Sequence, residues 1–159
     1  MYLSLGSNVG DRAANLHTAM KRLRELGDVA VVSALYEAEP VELEQQPWFL
    51  NCAVALDTAL SPAALLQSLL TIEREMGRVR WKEKGPRTID MDILLFSDYV
   101  LDEPGLKVPH PAMARRRFVL EPLAEIAGAA IHPVLNKAVS ELLLGLPSGQ
   151  VVRRVQEKR

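Results

Sequence analysis

"GPRTIDMDILLF", residues 85–96, places two aspartates at the start of an apolar strand. Side chains alternate between the two faces of a strand, so Asp90 and Asp92 are predicted to share one face, roughly 7 Å apart along the chain. We expect the apolar residues after them to alternate in the same way, with Leu94 and Phe96 beside the aspartates and Met91, Ile93 and Leu95 opposite. The carboxylates should therefore lie at the rim of a sheet, where two like charges require a cation between them.

The first hundred residues predict the order strand, helix, strand, strand, helix, strand. Asp11 is placed to cap the first helix, and Ser61 followed by Pro62 is typical of the start of the second. This order is the split βαβ pattern of ferredoxin-like α+β domains, whose helices pack on a mainly antiparallel sheet. The predicted strands cover 2–5, 29–36, 48–57 and 90–96, and the predicted helices cover 12–26 and 62–76.

The segments between and after these elements are mostly polar. Residues 6–11 are predicted as a structural turn, and the long polar segments 37–47 and 78–88 are candidates for binding loops. The C-terminal part predicts a hairpin around 97–98, a turn at 102–105, a helical stretch from about 112 that is interrupted by Pro122, and a helix capped by Asn136. With no internal repeat and no linker, we expect a single domain over residues 1–159, with a helical extension following the ferredoxin-like core.

The composition is typical of a soluble globular protein. The chain has 159 residues, 48% of them hydrophobic, and a formal net charge of −1, so its overall charge does not favour a nucleic acid or an anionic membrane as partner. No apolar stretch approaches the ~20 residues of a membrane helix, and we expect a cytoplasmic protein. Cys52 is the only cysteine, which excludes an internal disulfide and a cysteine-based zinc site, and it is predicted to be buried in a strand.

A local excess of positive charge precedes the two aspartates. Arginine forms forked contacts with phosphate oxygens, and Mg²⁺ is commonly bound by one or two carboxylates together with substrate phosphates. The combination therefore favours a polyphosphate substrate, although a solvated loop whose cations pair with the aspartates is the competing interpretation. The chain lacks the lysine and hydroxyl of a P-loop after its N-terminal glycines. The cations are Arg78, Arg80, Lys82, Lys84 and Arg87, against the single anion Glu83.

Two further groups of residues are candidates for binding. His110 lies between two prolines, which favour an extended and stiff backbone, and Arg116 follows six residues later. If Phe49 and Asn51 share a strand face, they offer a ring that stacks on a flat heterocycle and an amide that reads its edge, with Phe118 as a further ring. A structural histidine and core packing of the rings are the alternatives.

Six stretches in this order resemble the 6-hydroxymethyl-7,8-dihydropterin pyrophosphokinase family of folate biosynthesis. The resemblance covers nearly the whole chain and implies a ferredoxin-like domain. It also implies transfer of the β,γ-pyrophosphoryl group of ATP to the hydroxymethyl oxygen of the pterin, with release of AMP. The matching stretches are "LGSN" (5–8), "PWFLNCAVAL" (47–56), "IEREMGRVR" (72–80), "GPRTIDMDILLF" (85–96), "VPHPAM" (108–113) and "RRFVLEPLAEIA" (116–127).

The resemblance also implies roles for individual residues. Asp90 and Asp92 would hold two Mg²⁺ ions, one bridging the α and β phosphates of ATP and the other the β and γ phosphates, and with Arg78 and Arg87 they would form the catalytic set. The implied ATP contacts are Glu73, Arg78, Arg80, Arg87, Ile93, Lys107, His110 and Arg116. The implied pterin contacts are Val41, Phe49, Asn51, Asp90 and Phe118.

Other functions compete with this one. Another Mg²⁺-dependent phosphotransferase or nucleotidyltransferase would use the same carboxylates and arginines. A ferredoxin-like nucleic-acid-binding module would need aromatic residues along a sheet strand, and the sequence lacks the K/R-G-F/Y-G/A-F-V-x-F/Y strand of such modules. We therefore expect small-molecule substrates, no nucleic acid, no membrane association and a monomeric protein.

Overall fold

The computed structural model describes residues 1–40, 47–77 and 88–155. Within these ranges the chain forms the predicted ferredoxin-like core, a sheet with helices packed on it. The strands are β1 (Tyr2–Ser7), β2 (Asp28–Val32), β3 (Tyr36–Ala38), β4 (Phe49–Asp57), β5 (Asp90–Leu95), β6 (Leu101–Glu103), β7 (Leu106–Val108) and β8 (Val152–Arg154). The helices are α1 (Arg12–Leu23), α2 (Pro62–Glu75), α3 (Arg117–Ala127) and α4 (Val139–Leu144), with a 3₁₀ turn at Met113–Arg115 before α3.

The main sheet is antiparallel throughout. Its order is β5–β1–β4–β3–β8, and β2 pairs with the other half of β4 beside β3. Alternate side chains of β4 face two separate apolar clusters: Leu50, Cys52 and Val54 pack with α1 and α2, whereas Ala53 packs with α3. The sheet therefore carries the two core helices on one face and the C-terminal helix α3 on the other.

The predicted helix starts are confirmed. The Asp11 carboxylate accepts a hydrogen bond from the N–H of Ala14, and the Ser61 hydroxyl accepts one from the N–H of Ala64. Helix α1 nevertheless ends at Leu23 and not at residue 26, because the N–H of Leu26 bonds to the Leu23 carbonyl in a tighter turn. Cys52 is buried in β4 as predicted, and burial raises the pKa of its thiol to about 12, so the thiol is unreactive.

The strand predicted over 29–36 is interrupted and forms β2 and β3. The interruption lies at Ser33, whose N–H donates to the Ala53 carbonyl while its hydroxyl accepts from the Ala53 N–H. The next N–H, that of Ala34, leaves the sheet and donates to the Glu125 carboxylate on α3. Hydrogen bonds to residues this distant in the sequence are not visible in an apolar run, which explains why the pattern predicted one strand.

The face assignment predicted for the end of β5 is wrong for its last residues. The pairing of β1 with β5 changes register between Tyr2 and Leu3, so that Leu94 is an extra residue in the ladder. Leu94 and Leu95 therefore both pack in the α3 cluster, and Phe96 packs with the cluster on the opposite face. A β-bulge reverses the alternation after it, and Asp90 and Asp92 precede it and keep the predicted common face.

Several details of the C-terminal part also differ from prediction. The hairpin joins β6 and β7 through the turn predicted at 102–105, whereas residues 97–98 form a turn without pairing β5 to β6. Helix α3 continues through Pro122, which lies buried in it, and α4 begins after Ala138 and not at Asn136. Strand β8 was not predicted. No helix in the described ranges is long and apolar enough to cross a membrane.

Candidate active site

Four residues from four neighbouring strands form one row across the sheet. Tyr36 lies opposite Asn51, Asn51 lies opposite Gly6, and Gly6 lies opposite Asp90. Directly opposed residues of antiparallel strands point to the same face, so the side chains of this row all lie on the α3 side of the sheet. The paired position of Asp92 is Ser4, two residues along β1, which puts both aspartates on the same face as Asn51.

Asn51 is the buried polar centre of this row. It is 3% exposed, and its amide Nδ2 has no hydrogen-bond acceptor among the residues that the structure describes. A buried amide donor without a partner costs free energy, on the order of 1–3 kcal/mol, unless a ligand or water satisfies it. The orphaned donor therefore indicates a ligand with a hydrogen-bond acceptor at this position.

Gly6 provides the space that Asn51 occupies. A Cβ atom at residue 6 would lie 2.7 Å from Asn51 Oδ1 and 3.6 Å from Phe49 Cδ1. The same contacts show that Phe49 and Asn51 share a face, which is the condition under which the ring and the amide can serve one ligand. Gly6 was predicted as part of a turn, and the structure places it in β1. A glycine inside a strand often marks such a close approach. Gly6 was therefore the feature of the sequence that could have indicated this contact.

Two half-buried aromatic rings flank Asn51 along the chain and across the site. Phe49 is the first residue of β4. Phe118 is the second residue of α3 and packs against the apolar cluster on that face. The Arg116 guanidinium lies over the Phe118 ring, 5.6 Å from its centroid. A guanidinium in this position polarises the ring electrostatically and holds it in place.

His110 approaches the aspartates from the loop after β7. Its Nε2 lies 3.9 Å from Asp92 Oδ2, and its Nδ1 accepts a hydrogen bond from the N–H of Ala112. Burial lowers the pKa of His110, the nearby Arg116 lowers it further, and Asp90 acts in the opposite direction. Because Nδ1 is the acceptor, neutral His110 carries its proton on Nε2, which faces the site as a donor.

Glu73 supports the aspartates from behind the strand. It is 1% exposed, and its Oε2 accepts a hydrogen bond of 2.8 Å from the N–H of Met91, the residue between Asp90 and Asp92. The N–H of His110 donates to the Leu94 carbonyl on the same strand. β5 ends the main sheet, and these two contacts occupy backbone groups on its outer side.

The aspartates fit Mg²⁺ carried by a phosphate substrate. They are hard oxygen donors one pleat apart, and Asp92 is 37% exposed toward the site. The part of the chain that the structure describes contains no cluster of three or more ligating side chains. Mg²⁺ commonly takes one or two carboxylates and completes its shell with phosphate and water.

Not every predicted residue comes to this face. The Ile93 side chain points into the α1 and α2 cluster, away from the aspartates. Lys107 is 60% exposed on the β6–β7 hairpin, and its ammonium lies 4.0 Å from Asp102. The predicted residues Val41, Arg78, Arg80 and Arg87 lie outside the described residues.

Sequence reasoning missed Tyr36 and Glu125 as members of this region. The Tyr36 hydroxyl donates to Glu125 Oε1 at 2.6 Å, which joins β3 to α3 beside Asn51. The two residues are 89 positions apart, and the packing of α3 on the sheet brings them together. Within "SALYEAEP" the tyrosine is one apolar strand residue among several, and nothing in the sequence marks it.

The fold and the described residues define a ferredoxin-like α+β domain that carries a candidate small-molecule site on the α3 side of its sheet. The family model for 7,8-dihydro-6-hydroxymethylpterin-pyrophosphokinase (HPPK) matches residues 2–128. The chain belongs to this family.

Proteins of similar sequence include single enzymes and longer proteins. The 2-amino-4-hydroxy-6-hydroxymethyldihydropteridine pyrophosphokinase of Methylorubrum extorquens is 44% identical over 98% of this chain and 98% of its own length. The protein of the same name from Pseudomonas aeruginosa is 46% identical over 92% of this chain and 91% of its own length. The folic acid synthesis protein fol1 of Schizosaccharomyces pombe is 42% identical over 92% of this chain, which spans only 20% of that protein.

The fold is also similar to that of solved structures. The wild-type Plasmodium falciparum HPPK-DHPS with STZ-DHP matches 90% of this chain with a TM-score of 0.72 and 18% sequence identity. The chain spans 42% of that protein. At this identity the likeness concerns the fold alone, and it agrees with the ferredoxin-like topology described above.

The charge balance around His110 leads to a prediction for the isolated protein. We expect NMR titration to give His110 a pKa below 6.5, and Arg116→Ala to raise that pKa because the neighbouring guanidinium opposes a second positive charge. Arg115→Ala, one residue earlier and exposed, is the control and should leave the His110 pKa unchanged. An unchanged His110 pKa in Arg116→Ala would show that the two cations do not interact.

Proposed function

We propose that this chain transfers the pyrophosphoryl group of ATP to the hydroxymethyl oxygen of 6-hydroxymethyl-7,8-dihydropterin and releases AMP, in folate biosynthesis. The observation that carries the proposal is the row in which the buried Asn51 amide and the Asp90 carboxylate share one sheet face. The names of the full-length relatives support the same substrate and reaction class.

The spacing of the row suits an acceptor and a phosphate donor side by side. Asn51 and Asp90 are separated by β1, which is two strand spacings or about 10 Å. A bicyclic heterocycle whose edge binds Asn51 would extend its hydroxymethyl arm across Gly6 toward Asp90. The absence of a side chain at Gly6 leaves room at this point of the row for the Asn51 amide.

In this proposal the pterin is read by Asn51 and stacked by rings. The unpartnered Nδ2 donates to an acceptor on the pterin edge, and Oδ1 accepts from its N–H groups. Phe49 and Phe118 supply the flat surfaces on either side, and stacking of this kind contributes about 0.5–1.5 kcal/mol per ring pair beyond area burial. Val41 is proposed as a further pterin contact.

The proposed ATP site surrounds the aspartates. Asp90 and Asp92 would hold two Mg²⁺ ions, which neutralise phosphate charge and fix its geometry when bound. His110, with its Nε2 proton facing Asp92, and Arg116 would donate to phosphate oxygens. We assign the remaining ATP contacts to Glu73, Arg78, Arg80, Arg87 and Lys107, and to the backbone of Ile93, because the Ile93 side chain packs in the α1 and α2 cluster.

The chemistry required of the protein is positioning and charge stabilisation. The hydroxymethyl oxygen attacks the β-phosphorus in line with the bond to the α-phosphate oxygen, which leaves with AMP. Asp90 is the aspartate that lies in the row with Asn51, and we propose that it lies near the attacking hydroxyl of the pterin. Arg78 and Arg87 are proposed to stabilise negative charge on the transferred and leaving groups. Holding both substrates on one rigid face removes most of the entropic cost of bringing them together.

We further infer that the chain works as a monomer in the cytoplasm. Every residue proposed for the site belongs to this one chain, and the two aspartates and Asn51 are joined through adjacent strands. No second copy is needed to complete the row.

Product analysis tests the function directly. With ATP, Mg²⁺ and 6-hydroxymethyl-7,8-dihydropterin, we expect AMP and a pyrophosphorylated pterin in equal amounts, and no AMP without the pterin. Release of ADP or of free pyrophosphate would instead indicate another phosphotransferase or a nucleotidyltransferase.

Asp92→Ala should abolish Mg²⁺-dependent turnover with little loss of thermal stability, because a partly exposed rim carboxylate contributes little to core packing. We expect kcat to fall by about 10³-fold or more, in line with removal of a charge-stabilising group. Asp98→Ala in the exposed turn after β5 is the matched control and should retain full activity. Normal turnover of Asp92→Ala at saturating Mg²⁺ would refute the metal assignment.

Gly6→Ala should weaken pterin binding more than ATP binding. The added methyl would lie 2.7 Å from Asn51 Oδ1, so the amide must move away from its position in the row. Isothermal titration with 6-hydroxymethylpterin and with a non-hydrolysable ATP analogue separates the two effects. Gly149→Ala, where an added methyl meets no atom within 4 Å, is the control. Equal pterin affinity in Gly6→Ala and the wild type would contradict the assignment of Asn51.

A further inference from the structure

We propose that the Tyr36 hydroxyl and the Glu125 carboxylate form a clamp that sets the distance between α3 and the sheet, and with it the width of the pterin slot. The inference rests on the proposed function, since it assumes that a pterin stacks between Phe49 and Phe118. It makes Tyr36 and Glu125 positioning residues, neither of which contacts the substrate.

The clamp uses both oxygens of one carboxylate. Tyr36, 6% exposed, donates to Glu125 Oε1 at 2.6 Å, and the N–H of Ala34 donates to Glu125 Oε2 at 2.9 Å. The first contact holds β3 and the second holds the chain at the interruption between β2 and β3. Both bonds to the charged carboxylate are of the strong, directional kind.

On the sheet side, the clamp lies next to Asn51, the residue proposed to bind the edge of the pterin. Tyr36 is the direct cross-strand partner of Asn51, and Ala38 is the partner of Phe49. A displacement of β3 relative to α3 would therefore move Asn51 and Phe49 on β4 more than it would move the aspartates. The aspartates lie on β5, which is two strands further from β3 than β4 is.

On the helix side, the clamp controls the position of Phe118. Glu125 and Phe118 are seven residues apart in α3, which places them on one side of the helix, about 10 Å apart along its axis. Pro122 lies between them and has no N–H to donate to the Phe118 carbonyl, so one internal bond of this helix is missing. The bonds of Glu125 attach the part of α3 beyond Pro122 to the sheet and to the chain before β3.

The two groups keep their donor and acceptor roles under working conditions. Burial and the Glu125 carboxylate raise the pKa of Tyr36 to about 12, so its hydroxyl remains a donor at neutral pH. Arg154 lies 3.8 Å from the same Glu125 oxygen, but its side chain is 64% exposed. Such an exposed ion pair contributes little to the free energy of the contact. The two hydrogen bonds of Glu125 therefore account for most of the clamp.

Apolar packing on this face lets the fold survive loss of the clamp. Leu120 and Leu123 of α3 are fully buried against the sheet in the same cluster as Ala53 of β4. Removal of one hydroxyl should thus leave the protein folded while loosening the spacing of the two rings. The variant then tests position and not folding.

Tyr36→Phe is the decisive variant, and its binding is measured by titration with 6-hydroxymethylpterin and, separately, with a non-hydrolysable ATP analogue. We expect the Kd for the pterin to rise about tenfold, the scale of one lost hydrogen bond to a charged group, while the Kd for the ATP analogue changes less than about twofold. Tyr99→Phe is the matched control, since Tyr99 is exposed and stacks on Phe96. It should leave both values unchanged.

Glu125→Gln gives an independent measurement. The neutral amide offers one acceptor oxygen where two are needed, so its effect on pterin affinity should resemble that of Tyr36→Phe. If the residues act as one clamp, the double variant should be no weaker than about the weaker single variant, because the second change removes an interaction already lost.

The outcomes separate this inference from the proposed function. Wild-type protein that releases no AMP and does not bind the pterin would overturn the proposed function and the inference with it. A working wild type with unchanged pterin affinity in Tyr36→Phe would overturn the clamp alone. Equal weakening of pterin and ATP-analogue binding, together with a lower Tm, would assign Tyr36 and Glu125 to general stability and reject the positioning role.

Discussion

The absence of a side chain at Gly6 is the constraint on which the arrangement of the site depends. β1 lies between β4 and the edge strand β5, and at residue 6 the Asn51 amide occupies the space that a Cβ atom would need. Glycine weakens a strand through its conformational freedom, and here the loss is offset because both edges of β1 are hydrogen-bonded. The site is thus built into the middle of the sheet and not onto a loop.

The aspartates obtain their rigidity differently, because β5 has a sheet neighbour on one side only. Its other side is held by the Glu73 carboxylate at Met91 and by the His110 N–H at Leu94. The bulge at Leu94 turns the Leu95 side chain into the α3 cluster. Apolar packing therefore holds the strand just after the two carboxylates. A buried acidic side chain and an irregular ladder here serve to fix two carboxylates that would otherwise sit on a mobile edge.

The parts that the sequence predicted are those governed by local periodicity. Alternation placed Asp90 and Asp92 on a common face, and the cap signals at Asp11 and Ser61 marked both core helices. Long-range bonds decided the rest. Ser33 divides a predicted strand by bonding to Ala53, twenty residues away, and no local pattern encodes that partner.

The site has one part held by backbone pairing within the sheet and another part held by side-chain contacts of α3. Asn51 and Asp90 are fixed through backbone ladders, so the distance between the heterocycle and the reacting phosphate is set by strand spacing. Phe118 belongs to α3, which contacts the sheet through side chains, among them Glu125, Leu120 and Leu123. Side-chain contacts tolerate small shifts that ladders do not. Ring stacking, and hence pterin affinity, should therefore vary with substitutions around α3, whereas the geometry of the transfer step should remain constant.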